Sequence, residues 1–456
     1  MGTPSRRRCG PASTRRTPTT STRQSRTGTR RVAITTAQPE QSRRRLPSGW
    51  GALRRPRAGS GDRPGWLAGV REAVDRPLTT YYLLVGSVAL LLTIGLIMVL
   101  SASSVYSYQN LGDSYAVVRR QLMWVGLGLP AAWVASRVPL RLIRSLAFPG
   151  YLVSLLLLGA TAMVGVEVNG NTNWLAVGPI QIQPSEIAKL SLIIWAAHIY
   201  AHKERRLDSL HHVLIPVVPG MMLATTLVVV GHDLGTALVF FAIMIGMLWV
   251  VGAPTRLFLL ALLGVSTVAL ALAATDPERL ARITNFADPF KDYAGTGWQP
   301  AHGLYAMASG GVFGEGIGHS QQKWGRLPEA HTDFIFAVLG EELGLVGTLL
   351  VLALFLTIAF AIIRVARQTT EPFVRYASFG VVIWLLGQMI INVGMVLAVL
   401  PVIGIPLPLV SYGGSSLVPT LAALGMVIGF ARREPAAARA LAQRRRARSA
   451  GLSARR

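Results

Sequence analysis

The amino-acid sequence predicts an all-α polytopic membrane protein with about ten transmembrane helices. Hydrophobic residues make up 51% of its 456 residues, only 14% are charged, and the mean hydropathy is +0.45. Soluble domains usually carry about 25% charged residues, so a soluble fold is excluded. The third observation is that long apolar segments recur from about residue 81 to residue 431, separated by short polar loops.

A bilayer core of ~30 Å needs roughly 20 apolar residues in helical conformation. By that measure we predict ten spans, at residues 81–102, 116–137, 145–165, 183–201, 213–231, 234–252, 257–275, 333–363, 376–399 and 409–431. The fifth and sixth are separated only by a tight GHDLGT turn, and the eighth is long enough to begin outside the bilayer. The membrane domain is expected to cover residues 77–433, with a large outer loop at about 276–332 between spans seven and eight.

The charge of the chain is concentrated at its two ends. The formal net charge is +24; residues 1–76 contain 18 Arg against four acidic residues, and residues 432–456 contain nine Arg against one. Such segments bury too little apolar surface to offset the entropy of ordering. We therefore predict disordered basic tails at 1–76 and 434–456. Nucleic-acid binding is not expected, because hardly any aromatic residues interleave with the arginines.

The basic residues of the short loops predict the orientation of the spans. With the N-terminus inside, the inner loops carry most of the Lys and Arg, whereas the outer loops 166–182 and 400–408 carry none. Arg119 and Arg120, at the outer end of span two, run against this bias. The interpretation places both termini in the cytoplasm and the loop 276–332 on the outer face of the cytoplasmic membrane.

Most of the acidic, amide and imidazole side chains between the tails lie in and around this loop. Asp288 and Asp292 stand four residues apart, just before the flexible turn Gly295-Thr296-Gly297. A carboxylate near the membrane surface and partly removed from water has a raised pKa and suits a general base. Loop carboxylates are more often solvated or cap a helix, so both interpretations of Asp292 stay open on these grounds.

A second polar group follows a glycine-rich run in the same loop. Its two cationic side chains, Lys323 and Arg326, are suited to bind a pyrophosphate. A zinc site is weakly indicated, because no HExxH spacing is present; Mg²⁺ or Mn²⁺ held near Asp292 jointly with substrate phosphates fits oxygen ligands better. Neither a P-loop nor a GxSxG nucleophile elbow occurs. The candidate substrate-binding residues of this group are Lys323, Arg326, Glu329, His331 and Asp333.

Further candidates lie at the outer ends of spans four and ten. Glu186 and Lys189 form an i,i+3 pair, and a charge within a bilayer costs at least ~2.5–3.5 kcal/mol. The pair is either an internal ion pair that holds helices together or part of a substrate site. Before span ten, three prolines and an SYGGSS run break the helix, which is tolerated where backbone lines a cavity. The candidates here are Gln183, Ser185, Glu186, Lys189, Ser411, Ser415 and Ser416.

Five runs together resemble the signature segments of the SEDS family of bacterial cell-wall proteins. They are QPSEIAKL, DLGTALV, DPFKDYAGTGWQ, QKWGRLPEAHTDFIFAVLGEELGLVG and LPVIGIPLPLVSYGGSSL. The resemblance covers residues 81–433 and all ten spans in order. It is closer to the FtsW branch than to the RodA branch, and the Arg-rich N-terminal segment is similar to the actinobacterial form. Relatives often have Gln-Ser where this chain has His302-Gly303, and Pro where it has His232.

The resemblance implies a peptidoglycan glycosyltransferase that polymerises lipid II, the undecaprenyl-pyrophosphate-linked disaccharide pentapeptide, into β-1,4-linked strands during septum building. It implies that Asp292 is the catalytic carboxylate. It also implies a class B penicillin-binding transpeptidase and other divisome proteins as partners. The sequence leaves three alternatives open: a lipid II flippase, a RodA-like elongation polymerase, and a divisome scaffold that acts through its tails.

Overall fold

The computed structural model describes Arg76 and residues 78–168, 171–178, 180–274, 280–281, 284, 286 and 288–443. The predicted N-terminal tail lies outside the described residues except for Arg76. The C-terminal tail is described as far as Gln443, and residues 435–443 are helical.

The described chain is a bundle of long helices, and each of the ten predicted spans coincides with one of them. Seven helical segments of this described part are long and apolar enough to cross a membrane, which confirms the all-α polytopic membrane fold. The helices are α1 (Thr79–Leu111), α2 (Ala116–Arg137), α3 (Leu140–Ser145), α4 (Ala147–Val164), α5 (Pro184–Lys203), α6 (Leu210–Leu214), α7 (Val217–Val230), α8 (Leu234–Val251), α9 (Thr255–Ala274), α10 (Trp298–Ser309), α11 (Ile335–Gln368), α12 (Pro372–Val396), α13 (Gly414–Arg433) and α14 (435–443).

Apolar side chains lie both inside the bundle and on its outer surface. Phe240 and Trp384 are completely buried, whereas Leu156, Met163 and Leu259 are 73%, 86% and 69% exposed. Large exposed apolar areas are unfavourable in water. The outer surface of the bundle is therefore suited to lipid rather than to solvent.

Residues 166–182, expected to be a simple loop, form a three-stranded antiparallel sheet. The strands are β1 (Val166–Val168), β2 (Asn171–Val177) and β3 (Ile180–Ile182), in the order β1-β2-β3. The backbone N–H of Thr172 donates to the carbonyl of Gly231 at 3.0 Å, which fixes the sheet against the turn between α7 and α8. The β-branched and aromatic residues of β2, such as Thr172 and Trp174, favour a strand, which the hydropathy of the segment alone does not indicate.

Local chemistry explains where several helices begin and end. The left-handed Gly112 (φ 70°) ends α1, and its N–H donates to the carbonyl of Tyr108; glycine adopts this conformation without steric cost. Asp233 caps α8, because its carboxylate accepts the N–H of Thr236 at 2.9 Å. Pro184 occupies the first turn of α5, where its missing N–H is no loss.

The described loops gather at two ends of the bundle. The loop end carries residues 112–115, 165–168, 171–178, 180–183, 231–233, 288–334 and 397–413, and the opposite end carries 138–146, 203–216, 252–254, 369–371 and 434–443. At the loop end, the N–H of Tyr412 donates to the carbonyl of His331 at 2.9 Å. At the opposite end, Arg144 pairs with Glu371 at 2.7 Å. The predicted site residues outside the bundle core therefore share one end of the molecule.

Helices α2 and α13 approach each other so closely that their backbones touch. A Cβ added at Gly425 would lie 2.2 Å from the carbonyl oxygen of Ala132. Small residues at such contacts allow the backbone packing that stabilises helix pairs in membranes. Because α13 begins at Gly414, within the SYGGSS run, this contact also positions that run.

We expect Gly425→Val to separate α2 from α13 and to destabilise the protein by about 1–3 kcal/mol, the usual cost of overpacking. The measurement is the melting temperature in detergent. Gly126→Val is the matched control, because Gly126 lies within the partner helix α2 and a Cβ added there would meet nothing within 4 Å. Equal losses in the two variants would show that helix propensity, rather than the close contact, sets the cost.

Candidate active site

Asp292 lies in a tight turn at the loop end, and its carboxylate folds back onto that turn. One oxygen, Oδ2, accepts both the backbone N–H and the hydroxyl of Thr296, each at 2.8 Å. A Cβ at Gly295 would lie 2.6 Å from both carboxylate oxygens, so only glycine leaves room for this conformation. The sequence predicts the position of the glycine but not that the carboxylate rests against it.

The prediction of a raised pKa for Asp292 is wrong, because the structure lowers it. The hydrogen bonds from the side chain and then the backbone of Thr296 lower the pKa of this carboxyl group, since they stabilise its charged form. The expectation assumed that partial removal from water dominates. Asp292 is therefore ionised at neutral pH, and the backbone N–H of Gly295 contributes to the same lowering of its pKa.

Two side chains connect the Asp292 turn to the second polar group of the long loop. The indole N–H of Trp298 donates to the carbonyl of Arg326 at 2.8 Å, and the amide of Gln299 donates to the carbonyl of Pro328 at 3.2 Å. The side chain of Arg326 is exposed and has no acidic partner in the part of the chain that the structure describes. Arg326 is thus a cation that is available to a ligand beside the Asp292 turn.

Lys323, the other predicted cation, is buried and fully engaged. Its ammonium donates to Ser101 Oγ at 3.0 Å, to the carbonyl of Gly318 at 2.7 Å and to Glu342 Oε1 at 3.0 Å. An ammonium group has three protons, so none remains for a pyrophosphate. The predicted substrate role of Lys323 is not favoured by this geometry, which instead attaches the long loop to α1 and α11.

Burial and hydrogen bonding place His331 and Asp333 in the wall of the loop end. The ring of His331 lies between those of Tyr106 and Tyr412, with centroids 4.9 and 5.7 Å away, and burial lowers its pKa. Burial also raises the pKa of Asp333 to about 7, with further contributions from the charges of Glu329 and Asp233. His331 is therefore neutral at pH 7, and Asp333 is about half protonated.

The SYGGSS run is attached to this wall by side chains that cross between loops. The hydroxyl of Ser411 donates to the carbonyl of Thr332 at 2.6 Å, and the amide of Asn392 donates to the carbonyls of Asp333 and Ile405, both at 2.7 Å. Ser415 accepts the N–H of Gln183 at 3.2 Å. Ser416 bonds only to the carbonyl of Gly413 within its own turn, at 3.0 Å. Ser411, Ser415 and Gln183 thus hold the backbone at the loop end.

The Glu186–Lys189 pair lies in the first turns of α5, buried just inside the loop end. The two charged atoms are 2.8 Å apart, and the side chains are 3% and 1% exposed. The ammonium also lies 5.4 Å from the ring centre of Trp384 on α12. The structure shows a buried ion pair within one helix; its role in holding helices together and the substrate roles of Glu186, Lys189 and the neighbouring buried Ser185 stay predictions.

The described residues do not by themselves form a site for the predicted divalent ion. Among them, no three His, Cys, Asp or Glu side chains lie close enough together to hold a metal. Asp292 offers a single carboxylate to such an ion. A Mg²⁺ or Mn²⁺ ion there would depend on substrate phosphates and water for its other ligands, so no step is assigned to it.

Comparison with known proteins identifies the fold family. The model of the FtsW/RodA/SpoVE family, described as cell cycle proteins, matches residues 81–435. The chain belongs to this family. A relative from Mycobacterium tuberculosis named "Probable peptidoglycan glycosyltransferase FtsW" is 39% identical over 370 residues, 81% of this chain and 71% of the relative. Stage V sporulation protein E of Bacillus subtilis is 38% identical over 359 residues, 77% of this chain and 96% of that protein.

Solved structures agree with the family assignment. A chain from a peptidoglycan synthase complex that coordinates polymerization and crosslinking superimposes with a TM-score of 0.63 at 30% identity, covering 77% of this chain and 97% of that chain. The rod shape determining protein RodA of Thermus thermophilus gives a TM-score of 0.59 at 29% identity, covering 78% and 97%. The helical framework of this chain is therefore that of the FtsW/RodA/SpoVE family.

Four further polar residues lie within or at the edge of the predicted spans, and the sequence alone gives them no role at the site. They are Asp233, Glu341, Glu342 and Asn392. The structure places all four at the loop end, where they accept or donate bonds from loop residues: Asp233 accepts from Asn173 at 2.8 Å and from Gln183 at 3.2 Å. The available signal was their cost within a bilayer, which indicates a specific partner.

We expect the stability of the wild-type protein to fall as pH rises from about 4 to 7, because of Asp333. Its folded-state pKa of about 7 exceeds the ordinary value of about 4, so the folded chain retains a proton that the unfolded chain loses. Asp333→Asn is neutral at every pH. It should therefore be more stable than wild type at pH 8, by roughly 1–2 kcal/mol after allowance for partial exposure.

The measurement is the melting temperature of both proteins at about pH 3.5 and pH 8. The difference should nearly vanish at about pH 3.5, below the ordinary Asp value, where Asp333 is protonated in the folded chain and mostly protonated in the unfolded chain. Glu315→Gln removes an exposed carboxylate from the same loop and serves as the control. A pH-independent difference for Asp333→Asn would contradict the assignment.

Proposed function

We propose that this chain is a peptidoglycan glycosyltransferase that polymerises lipid II at the outer face of the cytoplasmic membrane during septal cell-wall synthesis. The observation that carries the proposal is the ionised Asp292 beside the exposed Arg326, at the loop end of a protein of this family. Relatives named as probable peptidoglycan glycosyltransferases support the reaction class.

Asp292 acts as the general base. It accepts the proton of the acceptor sugar's 4-hydroxyl as that oxygen attacks the anomeric carbon of the lipid-linked donor. The bond from this carbon to the pyrophosphate oxygen breaks, and the electron pair leaves with undecaprenyl pyrophosphate. The configuration inverts and a β-1,4 link forms. One carboxylate is sufficient because pyrophosphate leaves without protonation, whereas glycosidases protonate their leaving group with a second carboxyl.

Arg326 stabilises the charge that develops on the departing pyrophosphate. A guanidinium presents several donors in a fixed plane and suits phosphate oxygens, and Arg326 is exposed beside the Asp292 turn. Lys323 has no proton available for this role. The side chains of Trp298 and Gln299 hold the backbone of Arg326 and Pro328 against the start of α10, directly after the Asp292 turn.

The orientation and the partner form part of the same proposal. The opposite end of the bundle carries most of the basic residues of the short connections and the helix ends beside them, including Arg144, Lys203 and Arg375, which favours a cytoplasmic location for that end and for both termini. A class B penicillin-binding transpeptidase is the proposed partner. The likeness to a chain of a complex that couples polymerization to crosslinking supports it.

We expect Asp292→Asn to reduce polymerisation by at least 100-fold, because general-base catalysis typically contributes 10²–10⁴-fold. The amide retains an oxygen for the Thr296 bonds but cannot take up the proton. Polymerisation of lipid II is measured with purified protein and its partner. Asp288→Asn, which removes a nearby carboxylate 3.8 Å from Lys291, should stay within about twofold of wild type. Wild-type activity in Asp292→Asn would eliminate the proposed base.

We expect Arg326→Gln to lower kcat/KM by about ten- to a hundredfold, the range for losing a charged hydrogen bond of ~1.5–3 kcal/mol. Arg326→Lys, which keeps the charge without the planar donors, should fall between the variant and wild type. Lys291→Gln removes another exposed cation of the long loop and is the matched control. The role is refuted if both Gln variants lose activity equally.

A further inference from the structure

A cationic cavity lies at the opposite end of the bundle from Asp292. It has a volume of about 370 Å³ and opens between the first turn of α1, the last turn of α11 and helix α14. This volume is within the range of small-molecule sites. Arg364 of α11 and Arg439 of α14 line it, together with Glu434 and with Arg76, which lies three residues before α1.

Among the described residues, cations outnumber acids in the lining of this cavity. Glu434 is the one acidic residue that the described part of the lining contains, and the nearby charge of Arg364 acts on it. Arg439 uses its Nε–H to bond the carbonyl of Pro435 at 3.1 Å. In the part of the chain that the structure describes, neither Arg76 nor Arg439 has an acidic partner. Two guanidinium groups of the lining are therefore not paired with an acid of the described residues, which favours an anionic occupant.

An apolar stripe of α11 leads from the membrane surface into the same cavity. Leu356 and Phe360 are 60% and 48% exposed, and they precede Arg364 by eight and four residues. Residues four apart lie on one face of a helix, and Gln368, one turn further, also lines the cavity. A ligand that places its charged group among the arginines can therefore extend an apolar chain along Phe360 and Leu356.

We propose that this cavity binds the phosphate headgroup of an anionic phospholipid from the surrounding bilayer. Guanidinium groups recognise phosphate oxygens through paired hydrogen bonds, and the adjacent stripe supplies a surface for an acyl chain. The lipid would join α1, α11 and α14, which are far apart in sequence, at the end of the bundle where the C-terminal segment begins. A free phosphate ion would use the arginines but not the stripe.

The test uses the full-length protein, solubilised in a mild detergent and titrated with dioctanoyl phosphatidylglycerol. Binding is read by native mass spectrometry, and the melting temperature is recorded in parallel. Phosphatidylglycerol should bind and raise the melting temperature, whereas dioctanoyl phosphatidylcholine and inorganic phosphate at the same concentrations should do neither. Arg439→Gln should weaken binding about fivefold, the ratio for ~1 kcal/mol per basic residue, and Arg76→Gln/Arg439→Gln should weaken it further.

Matched controls separate this site from diffuse attraction. Arg141→Gln/Arg205→Gln removes two exposed arginines from the same end of the bundle but outside the cavity, and binding should change by less than twofold. Arg439 is exposed on α14, and an unchanged melting temperature without lipid shows that its variant is folded. Leu356→Ser/Phe360→Ser should weaken the binding of phosphatidylglycerol but leave any binding of inorganic phosphate unaffected.

Three results would overturn the proposal. Equal binding of phosphatidylcholine would show that headgroup charge is irrelevant, and equal weakening in the control double variant would show that the arginines of the cavity are not special. Binding of inorganic phosphate as tight as that of phosphatidylglycerol would make this a free-anion site. No substrate is present in these measurements, so their outcome is independent of the role of Asp292.

Discussion

The arrangement of the loop end depends on two adjacent buried carboxylates, Glu341 and Glu342, near the start of α11. Both are completely buried. Glu342 pairs with Lys323 at 3.0 Å and accepts the hydroxyl of Ser101 at 2.6 Å, while Glu341 accepts the hydroxyl of Ser320 and the N–H of Gln321. Removing one member of a buried ion pair such as Glu342–Lys323 typically costs about 3–5 kcal/mol, because the other charge is left uncompensated.

A break in α11 allows its backbone, as well as its side chains, to bond to the long loop. At Gly344 the backbone leaves the helical conformation (φ 65°, ψ −164°), so nearby backbone groups lose their partners within the helix. The carbonyls of Glu341 and Glu342 accept N–H groups from the long loop at 2.9 and 3.0 Å, and the N–H of Leu345 donates to the loop carbonyl of Gly311 at 3.0 Å. The loop therefore replaces helix hydrogen bonds rather than adding to them, and it is held as part of the membrane domain.

The sequence predicts the helical framework well, because a span is specified by local hydropathy and length. It predicts the site less completely, because the partners of polar residues are distant in the chain. From the sequence, Lys323 is a plausible phosphate ligand. The structure shows instead that it donates a hydrogen bond to Ser101, more than two hundred residues earlier. Similarly, the sequence shows that Asp292 precedes a glycine turn, but not that Thr296 donates to it twice. Hydrogen bonds of this kind reverse the direction of a pKa shift.

In the proposed reaction, the lowered pKa of Asp292 constrains when the proton of the sugar hydroxyl is transferred. Asp292 is ionised whenever a substrate arrives, but as a weak base it cannot deprotonate a free sugar hydroxyl. The hydroxyl becomes acidic only as its oxygen bonds to the anomeric carbon and the pyrophosphate departs. In the proposed reaction, proton transfer therefore follows bond formation, and stabilisation of the leaving group by Arg326 would control the rate together with the base. A bound substrate also displaces water from Asp292, which raises its pKa and strengthens the base at the moment of reaction.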